Sequence, residues 1–414
     1  MKRIIFVLLG AVLAQAACSQ RSGTIDWDAD LDYLARELPA RHCNFFAVHD
    51  REYFLAGINA IKAARGTLDD FGTALKTQQL IAQFGDSHTR LDITPLADRS
   101  RILPVRLLWT SDGLHVLDTT PDNKELPGRR ITAVNGAPVA TVIDSLSTLF
   151  TVDNKAIVKS WIPELFPSLQ VLEHFGFADA RQVELTLEEG KTFILKPLGT
   201  EKSGKISFEP DSAAFAVKNR GLLFTDRYFP EEKIYYMLYN ACRSRETELA
   251  RGNKEEAEKM PSFKAFEEQA VRILTTRPVD KIVFDMRYNG GGNSAQGREF
   301  IEKLAEFLKK NPHVKTYVVL GRETFSSAIL NAMDFKRLTN AVFVGEETAG
   351  KPNHYGEVRS FYLPSSKLQV MYSTKYFKRT DEEVGTLKPD VVIEMSFSDF
   401  TKGVDPVYEW IRAQ

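Results

Sequence analysis

Apolar residues in the first part of the chain recur at spacings of three and four positions, the period of an amphipathic α-helix. Three such series are present: Trp27, Leu31, Leu34 and Leu38; Phe54, Ile58 and Ile61; and, more weakly, Phe71, Leu75 and Ala82. They predict helices within residues 24–85. We therefore expect a small helical N-terminal domain, whose range we place at 24–100.

From about Leu103 the pattern changes to short alternating runs, which indicate β-strands. The predicted strands are Val105–Trp109, Leu114–Asp118, Val183–Leu187 and Thr192–Leu195. Ser111-Asp112-Gly113 joins the first pair and Glu189-Gly190 the second, and Asn135-Gly136 is a further tight-turn dipeptide. One or two helices are expected, including Val142–Phe150. Residues 101–198 are thus predicted to form a mainly β module.

The second half of the chain alternates short Val/Ile/Phe-rich runs with helical patterns. The runs predict strands at Ile234–Tyr239, Lys281–Phe284, Thr316–Leu320 and Val342–Val344, and helices at Ala265–Leu274 and Ile329–Phe335. The charged stretch Arg243–Glu258 is either helix or a mobile insertion. Such alternation is typical of βαβ units with a partly parallel sheet. The 414-residue chain is thus predicted to be a multidomain α/β protein, with residues 205–414 as its last domain.

The N-terminus has the three parts of a secretory signal peptide: a basic start at Lys2-Arg3, an apolar run of ten residues at Ile4–Leu13, and small residues after it. Cys18 follows Ala16-Ala17, as the lipidated cysteine does in a bacterial lipobox, although Gln15 departs from that pattern. Residues 1–18 therefore predict export, either to the periplasm or to a lipid anchor at Cys18.

Composition excludes several classes of protein. A net charge of -1, with no basic stripe, argues against nucleic-acid binding. No Cys/His spacing indicates a metal site, and no cofactor motif is present.

Export would let Cys43 and Cys242 form a disulfide, but both could equally be small buried residues. A lipid at Cys18 would be the only membrane attachment, and the oligomeric state is left open.

Three consecutive glycines, Gly290–Gly292, follow the predicted strand Lys281–Phe284 and the segment Asp285–Asn289. Glycines let the backbone turn sharply and leave its amides uncovered. Successive uncovered N–H groups can bind a phosphate or a developing oxyanion. No Gly-Lys-Ser/Thr ending follows, so the loop is not a nucleotide-binding phosphate loop. A simple glycine turn is the alternative interpretation.

Ser326 lies in Thr324-Phe325-Ser326-Ser327-Ala328, between a predicted strand and a predicted helix. A helix N-terminus favours negative charge, which suits a serine nucleophile. Serine is also a favoured N-cap residue, and that role needs no chemistry.

Two further segments carry groups that could accept a proton. Lys351 follows Gly345–Gly350, and a desolvated lysine can act as a general base. His88 lies in Gly85-Asp86-Ser87-His88-Thr89, and histidine is suited to proton transfer near neutral pH. A solvated lysine and a structural histidine are the alternatives.

Together these segments resemble the C-terminal processing, or tail-specific, serine peptidases, in particular their tricorn and interphotoreceptor retinoid-binding protein-like branch. Asp285, Arg287, Asn289, Gly291 and Gly292 match the family signature Asp-x-Arg-x-Asn-x-Gly-Gly. Three other segments are similar to family motifs: Thr324–Ser326 to the nucleophile turn, Gly345–Lys351 to the lysine segment, and Gly85–Thr89 to a tricorn-like motif with a Ser-His pair. Arg130–Gly136 resembles part of a PDZ module, and Gly385–Asp390 a late family motif.

The resemblance implies a crotonase/ClpP-like catalytic domain with a PDZ-like module at 101–198, and a peptide or protein substrate. It implies Ser326 as the nucleophile and the amides of Gly291, Gly292 and Ser327 as oxyanion donors. The base is either Lys351 or His88. Lys351 is favoured because it lies 25 positions (351 minus 326) after Ser326, the spacing of the family. His354 is a third, weaker candidate.

Two departures from the family pattern matter. Ile329 stands three positions after the nucleophile, where the family usually has Glu, and Ser327-Ala328 makes Ser327 a rival nucleophile. A catalytically inactive exported protein that binds peptides or other ligands is therefore the main alternative, because a fold does not fix a function. Acyl-CoA chemistry, which the crotonase likeness suggests, conflicts with export.

Overall fold

The structure, a computed structural model, describes residues 24–199, 205–208 and 212–414. The predicted signal peptide, residues 1–18, and its Cys18 lie outside the described residues. Among the helices that are described, none has both the length and the apolar character needed to cross a membrane.

The N-terminal part forms the three helices that the periodicity predicts. They are α1 (Trp27–Arg41), α2 (Arg51–Ala64) and α3 (Asp70–Ala82), followed by the short strand β1 (Arg90–Leu91). An aspartate caps each helix: the side chains of Asp26, Asp50 and Asp69 accept the backbone amides of Ala29, Tyr53 and Gly72. Such caps satisfy amides that have no partner within the helix.

The middle part, residues 101–208, contains two small sheets and three helices. Its strands are β2 (Arg106–Thr110), β3 (Gly113–Thr119), β4 (Ile131–Val134), β5 (Ala137–Pro138), β6 (Val183–Leu187), β7 (Thr192–Leu195) and β8 (Ile206–Ser207), and its helices are α4 (Val139–Ser147), α5 (Lys155–Leu165) and α6 (Leu169–His174). The strand orders are β2-β3-β8 and β5-β4-β6-β7. The helix predicted at Val142–Phe150 is α4, which begins and ends three residues earlier than predicted. This part has three helices, where the sequence predicted one or two.

The last part has a six-stranded sheet covered by helices on both faces. Its elements are α7 (Phe215–Lys218), β9 (Phe224–Phe229), β10 (Ile234–Tyr239), α8 (Arg245–Ala250), α9 (Lys254–Glu258), α10 (Phe263–Thr276), β11 (Lys281–Asp285), α11 (Ser294–Lys310), β12 (Lys315–Leu320), α12 (Ser327–Leu338), β13 (Val342–Gly345), β14 (His354–Tyr362), β15 (Gln369–Phe377), β16 (Val391–Val392), α13 (Phe397–Thr401) and α14 (Pro406–Ala413). The charged stretch 243–258 is helical, as α8 and α9.

The order of the large sheet is β16-β13-β12-β11-β10-β9, and every neighbouring pair is parallel except β9 with β10. The predicted βαβ layout with a partly parallel sheet is confirmed. Side chains of β10 alternate between two buried cores: Tyr235 and Met237 face α10–α12, whereas Tyr236 and Leu238 face α14. The carboxyl ends of β11 and β12 lead directly into the glycine loop and the Ser326 turn.

The long hairpin β14–β15 was not predicted from the sequence. It pairs antiparallel along its length, and β15 also pairs with β1, with Arg90 opposite Met371 and Leu91 opposite Val370. Its apolar residues Phe361, Leu363, Leu368 and Val370 lie in the same buried core as helices α1 and α2. The N-terminal helices and the hairpin therefore fold against each other, although more than 250 positions of sequence separate them.

Cys43 and Cys242 do not form a disulfide. Both are free; Cys43 is exposed and Cys242 is buried. The Cys242 thiol lies 3.5 Å from the side-chain oxygens of Asn289 and Asn331. Cys242 is therefore a small buried residue rather than half of a disulfide, whereas Cys43 is not buried.

Candidate active site

The glycine loop begins where β11 ends and is held by Asn289. The side-chain amide of Asn289 donates to the Tyr239 carbonyl oxygen at 2.8 Å, and its oxygen accepts the Gly291 amide at 2.9 Å. The backbone carbonyl of Asn289 also accepts the Phe325 amide at 3.0 Å. The side chain of Asn289 therefore fixes the loop against β10, and its backbone carbonyl fixes it against the turn that carries Ser326.

The Asp and Arg of the same signature form a buried ionic network. Arg287 donates to Asp285 at 2.8 Å and pairs with Asp405 at 2.9 Å, and Tyr236 donates to Asp285. Asp405 caps α14, so the network joins the sheet to the last helix. Burial raises the pKa of Asp285, although the neighbouring Arg287 opposes this shift. These residues support the loop and do not reach the reacting atoms.

The last two glycines of the loop allow close contacts that no side chain would permit. Gly291 has φ 104°, and a Cβ atom there would lie 2.8 Å from the Ser326 Cβ. Gly292 has φ 134°, and a Cβ there would overlap the carbonyl oxygen of Cys242. The loop can pass directly beside Ser326 only because both positions are glycine.

Replacing Gly292 with alanine is expected to destabilise the protein by about 3 kcal/mol. The free-energy cost of placing alanine at a positive φ adds to the cost of its steric overlap with the backbone. Gly190→Ala is the matched control: Gly190 also has a positive φ, of 77°, but nothing lies within 4 Å of its added Cβ. Its expected cost is about 1 kcal/mol. Urea unfolding measures both, and equal costs would contradict the close-contact argument.

Ser326 lies between β12 and α12 in a conformation that L-residues rarely adopt, with φ 53° and ψ −124°. A non-glycine residue in such a conformation costs about 1–3 kcal/mol, and such residues cluster at functional sites. The side chain of Ser326 makes no capping hydrogen bond to α12. The N-cap explanation for this serine is therefore not supported. Ser326 lies instead at a sharp strand-to-helix turn, the kind of turn that carries the nucleophile in α/β-hydrolases.

The backbone amides beside Ser326 differ in whether they already donate a hydrogen bond. The Gly291 amide donates to Asn289, as described above. None of the hydrogen bonds made by the described residues uses the amide of Gly292 or of Ser327. The Ser327 hydroxyl donates to the Gly292 carbonyl oxygen at 2.7 Å, so Ser327 is tied to the loop. Of the three predicted oxyanion donors, Gly292 and Ser327 have an available N–H.

His88 is brought to this turn by the N-terminal part of the chain. Its ring stacks on Phe325, with centroids 4.6 Å apart, and on His354 at 5.7 Å. His88 is buried, and no hydrogen bond from the described residues reaches either ring nitrogen; Nδ1 lies 3.8 Å from Oδ1 of Asp86. Burial lowers its pKa to about 4, although the charge of Asp86 opposes this shift. The imidazole is therefore neutral at pH 7, with one nitrogen able to accept a proton.

Asp86 holds the segment that carries His88. Its carboxylate accepts the His88 amide at 2.9 Å, the Thr89 hydroxyl at 2.5 Å and the His42 ring at 3.0 Å. The other His42 nitrogen accepts the Asn44 amide, so the nitrogen facing Asp86 carries the proton. Burial would raise the pKa of Asp86, but these hydrogen bonds outweigh it and the pKa lies well below its usual range.

Lys351 lies near this group but has a partner of its own. Its ammonium donates to Asp153 at 2.6 Å, and Asp153 comes from the segment between α4 and α5. Burial raises the pKa of Asp153, and the nearby Lys351 opposes that shift. The Lys351 nitrogen is thus engaged by a carboxylate of its own.

His354 and Ile329 complete the surroundings of Ser326. Nδ1 of His354 lies 2.9 Å from the Lys351 carbonyl oxygen, and burial lowers the pKa of the ring.

Ile329 is fully buried, and a Cβ on Gly350 would lie 2.5 Å from its Cγ1. This position, where the family usually has Glu, belongs to the apolar core.

Sequence reasoning missed the residues that join the middle part of the chain to this site. Asp153 holds Lys351, and the side-chain amide of Asn154 donates to the carbonyl oxygens of Thr348 and Ala349, each at 3.1 Å. No motif marks these two residues. Only their position as the lead-in to α5, which Asn154 caps, could have indicated a structural role.

Comparison with known structures places this arrangement in a known fold. The chain matches mature CPAF complexed with lactacystin at TM-score 0.60 and 12% identity, over 92% of this chain and 96% of that one. It also matches tricorn protease at TM-score 0.44 and 14% identity, over 93% of this chain and 36% of that one. The match to the photosystem II D1 C-terminal processing protease has TM-score 0.39 and 16% identity, over 89% and 94%.

By sequence, the chain matches no family model and no curated protein. The match to mature CPAF shows that the chain shares its fold, a mixed α/β fold of several parts. At 12% identity this match establishes the fold and not the activity.

Proposed function

We propose that this protein is a serine peptidase that hydrolyses peptide bonds in exported or envelope proteins, with Ser326 as its nucleophile. One observation carries the proposal: Ser326 adopts a strained conformation directly against a glycine loop, with two unused amides beside it. Strain of this size is retained where function requires it. The resemblance of the Asp285–Gly292 and Thr324–Ser326 segments to the C-terminal processing peptidases makes a peptide or protein the expected substrate.

His88 is the base that the contacts favour, although spacing in the sequence favours Lys351. Lys351 is held by Asp153 at 2.6 Å, whereas His88 has only a longer contact, from Nδ1 to Asp86 at 3.8 Å, and its ring lies on the residue before Ser326. Apo enzymes often lack the final hydrogen bond between nucleophile and base, which tightens when substrate binds. In this proposal Lys351 supplies a positive charge near the base.

The mechanism is acyl transfer. The Ser326 Oγ attacks the peptide carbonyl carbon while His88 takes the hydroxyl proton. The carbonyl oxygen becomes an oxyanion, which accepts hydrogen bonds from the amides of Gly292 and Ser327. When the C–N bond breaks, the leaving amine takes the proton from His88. Water then attacks the acyl-serine, again losing a proton to His88, and releases the acid and Ser326.

Labelling with a fluorophosphonate tests the proposal, because this probe modifies only an activated nucleophile. We expect the mature protein to be labelled, and peptide mass spectrometry to find the adduct on Ser326. An adduct on Ser327 would show that the rival nucleophile acts. Folded protein that is not labelled would overturn the peptidase proposal and favour the inactive, ligand-binding alternative, which the buried Ile329 supports.

The pH dependence of kcat/KM is expected to reflect the low pKa of His88. A base acts only when neutral, so activity should fall as pH decreases through about 4 and stay level between pH 5 and pH 8. A peptide series assayed across this range measures the profile, with circular dichroism to confirm folding at each pH. An activity that keeps increasing above pH 7 would contradict His88 as the base.

Export remains part of the proposal. The signal-like residues 1–18 support a periplasmic location or a lipid anchor at Cys18. Mass spectrometry of the mature N-terminus distinguishes the two, because lipidation would leave a modified Cys18 as the first residue.

A further inference from the structure

His354 lies against the proposed base and is held firmly by its own surroundings. It begins β14, opposite Phe377 at the end of β15, and the centroids of these two rings lie 5.5 Å apart. Its Nδ1 lies 2.9 Å from the Lys351 carbonyl oxygen, and because a carbonyl only accepts, that nitrogen carries the proton. The residue is also buried. Strand pairing, a hydrogen bond and burial therefore fix the plane of the His354 ring.

The segment that carries His354 runs beside the turn that carries Ser326. The Gly350 amide donates to the Thr324 carbonyl oxygen at 3.1 Å, and a Cβ atom on Gly350 would lie 3.2 Å from the Phe325 Cα. His354 follows Gly350 by four positions (354 minus 350). A short stretch of backbone thus ties the His354 ring to the turn of the proposed nucleophile.

His88 has two ring partners but no hydrogen bond that would orient its ring. The ring stacks on Phe325, with planes 21° apart, and on His354, with planes 16° apart and centroids 5.7 Å apart. Oδ1 of Asp86 lies 3.8 Å from its Nδ1, beyond hydrogen-bonding distance. A general base needs a third group that orients it, and in Ser-His-Asp enzymes a hydrogen-bonded carboxylate fills that role. Among the described residues, ring stacking is the contact that remains for this role.

We propose that His354 is a positioning residue, which holds the imidazole of His88 in its reactive orientation by ring stacking. The inference rests on the proposed peptidase function, with His88 as the base. In this role His354 neither contacts the substrate nor exchanges a proton. It limits rotation of the His88 ring about χ2, a torsion that is otherwise broad for histidine. Misplacing a catalytic group by about 1 Å can lower the rate by about 10²-fold.

Two variants at position 354 test this role. His354→Leu fills most of the volume but removes the flat ring. We expect kcat to fall by about 10–100-fold, with KM changed by less than about twofold, because His354 does not bind substrate. His354→Phe keeps a flat ring against His88 and loses the hydrogen bond to Lys351. We expect it to keep kcat within about threefold of wild type. Steady-state assays with one peptide measure both constants.

The rate of fluorophosphonate labelling gives a second readout that needs no peptide. The probe reacts with Ser326 at a rate that depends on how well His88 removes the hydroxyl proton. The second-order rate constant should fall by about 10–100-fold in His354→Leu and recover in His354→Phe. A parallel loss in labelling and in kcat would place the effect on the base rather than on substrate binding.

His115→Leu is the matched control. His115 is also buried, stacks on Phe397 with centroids 4.1 Å apart, and has its Nδ1 3.1 Å from the Gly113 carbonyl oxygen. Its stack joins β3 to α13 and involves no residue of the candidate site. We expect His115→Leu and His354→Leu to lose similar stability in urea unfolding, and His115→Leu to keep the wild-type kcat and labelling rate.

The outcomes separate the two proposals. Wild-type protein that the fluorophosphonate does not label contradicts the peptidase function itself. Labelled protein in which His354→Leu keeps the wild-type kcat, or loses no more than His115→Leu, overturns the role of His354 and leaves the peptidase function intact. A loss in His354→Phe as large as that in His88→Gln also overturns it, because His354 would then act by proton transfer.

Discussion

Ser326→Ala is expected to lower kcat for peptide hydrolysis by about 10⁶-fold, the effect of removing a serine nucleophile that acts with its base as one unit. The remaining rate would come from the oxyanion site and from substrate binding. Steady-state assays and fluorophosphonate labelling measure the loss. Ser327→Ala is the neighbouring control. It loses only the hydroxyl that donates to the Gly292 carbonyl and keeps its backbone amide, so we expect a much smaller decrease.

A second substitution at the same position separates the loss of the Ser326 hydroxyl from the relief of backbone strain. Ser326→Gly removes the hydroxyl as well, but glycine adopts φ 53° and ψ −124° without a steric cost. We expect it to be as inactive as Ser326→Ala and more stable than that variant by about 1–2 kcal/mol. Urea unfolding measures the difference. If the alanine variant proved equally stable, the strain argument for Ser326 would be wrong, although the nucleophile could still be correct.

His88→Gln is expected to lower kcat by about 10⁴-fold, the upper range for the loss of a general base. Glutamine keeps a polar group of similar length but cannot accept and release a proton at this position. The buried ring also packs on Phe325, so melting temperatures must accompany the assays. His42→Gln is a useful comparison, because it should act only through Asp86, which holds the His88 segment.

The competing base is tested by removing a charge pair rather than one charge. Lys351→Met alone would leave the buried Asp153 unpaired, and that would destabilise the fold for reasons unrelated to catalysis. The double variant Lys351→Met, Asp153→Asn removes both charges. We expect it to keep activity within about tenfold of wild type, far above His88→Gln. If the double variant lost more activity than His88→Gln, Lys351 would be the base.

The geometry makes the candidate site dependent on all parts of the chain. The Ser326 turn and the glycine loop come from the large sheet, His88 from the N-terminal part, and Asp153 from the middle part. The pairing of β1 with β15 fixes the position of the His88 segment beside the hairpin. Truncating the chain through β1 should therefore remove the base, while the large sheet keeps its own core.

Most of the elements and the segments that carry the candidate chemistry can be predicted from local sequence. The three N-terminal helices, four of the six strands of the large sheet (β10–β13) and the helix after Ser326 follow from local hydrophobic patterns, because those patterns reflect which positions are buried. The edge strands β9 and β16 were not predicted. The Asp-x-Arg-x-Asn-x-Gly-Gly signature and the Ser326 turn indicated the fold that structural comparison then confirmed. Glycine requirements and strand-to-helix turns are local properties, so they are readable along the chain.

Which of these groups meet depends on the tertiary structure. The hairpin β14–β15 carries a mixed pattern because one face packs on helices from the other end of the chain, and no local period predicts that pairing. Spacing favoured Lys351, yet its partner Asp153 is 198 positions away in sequence. His88 likewise becomes a candidate base because burial lowers its pKa. Those quantities depend on long-range packing, which a single sequence does not specify.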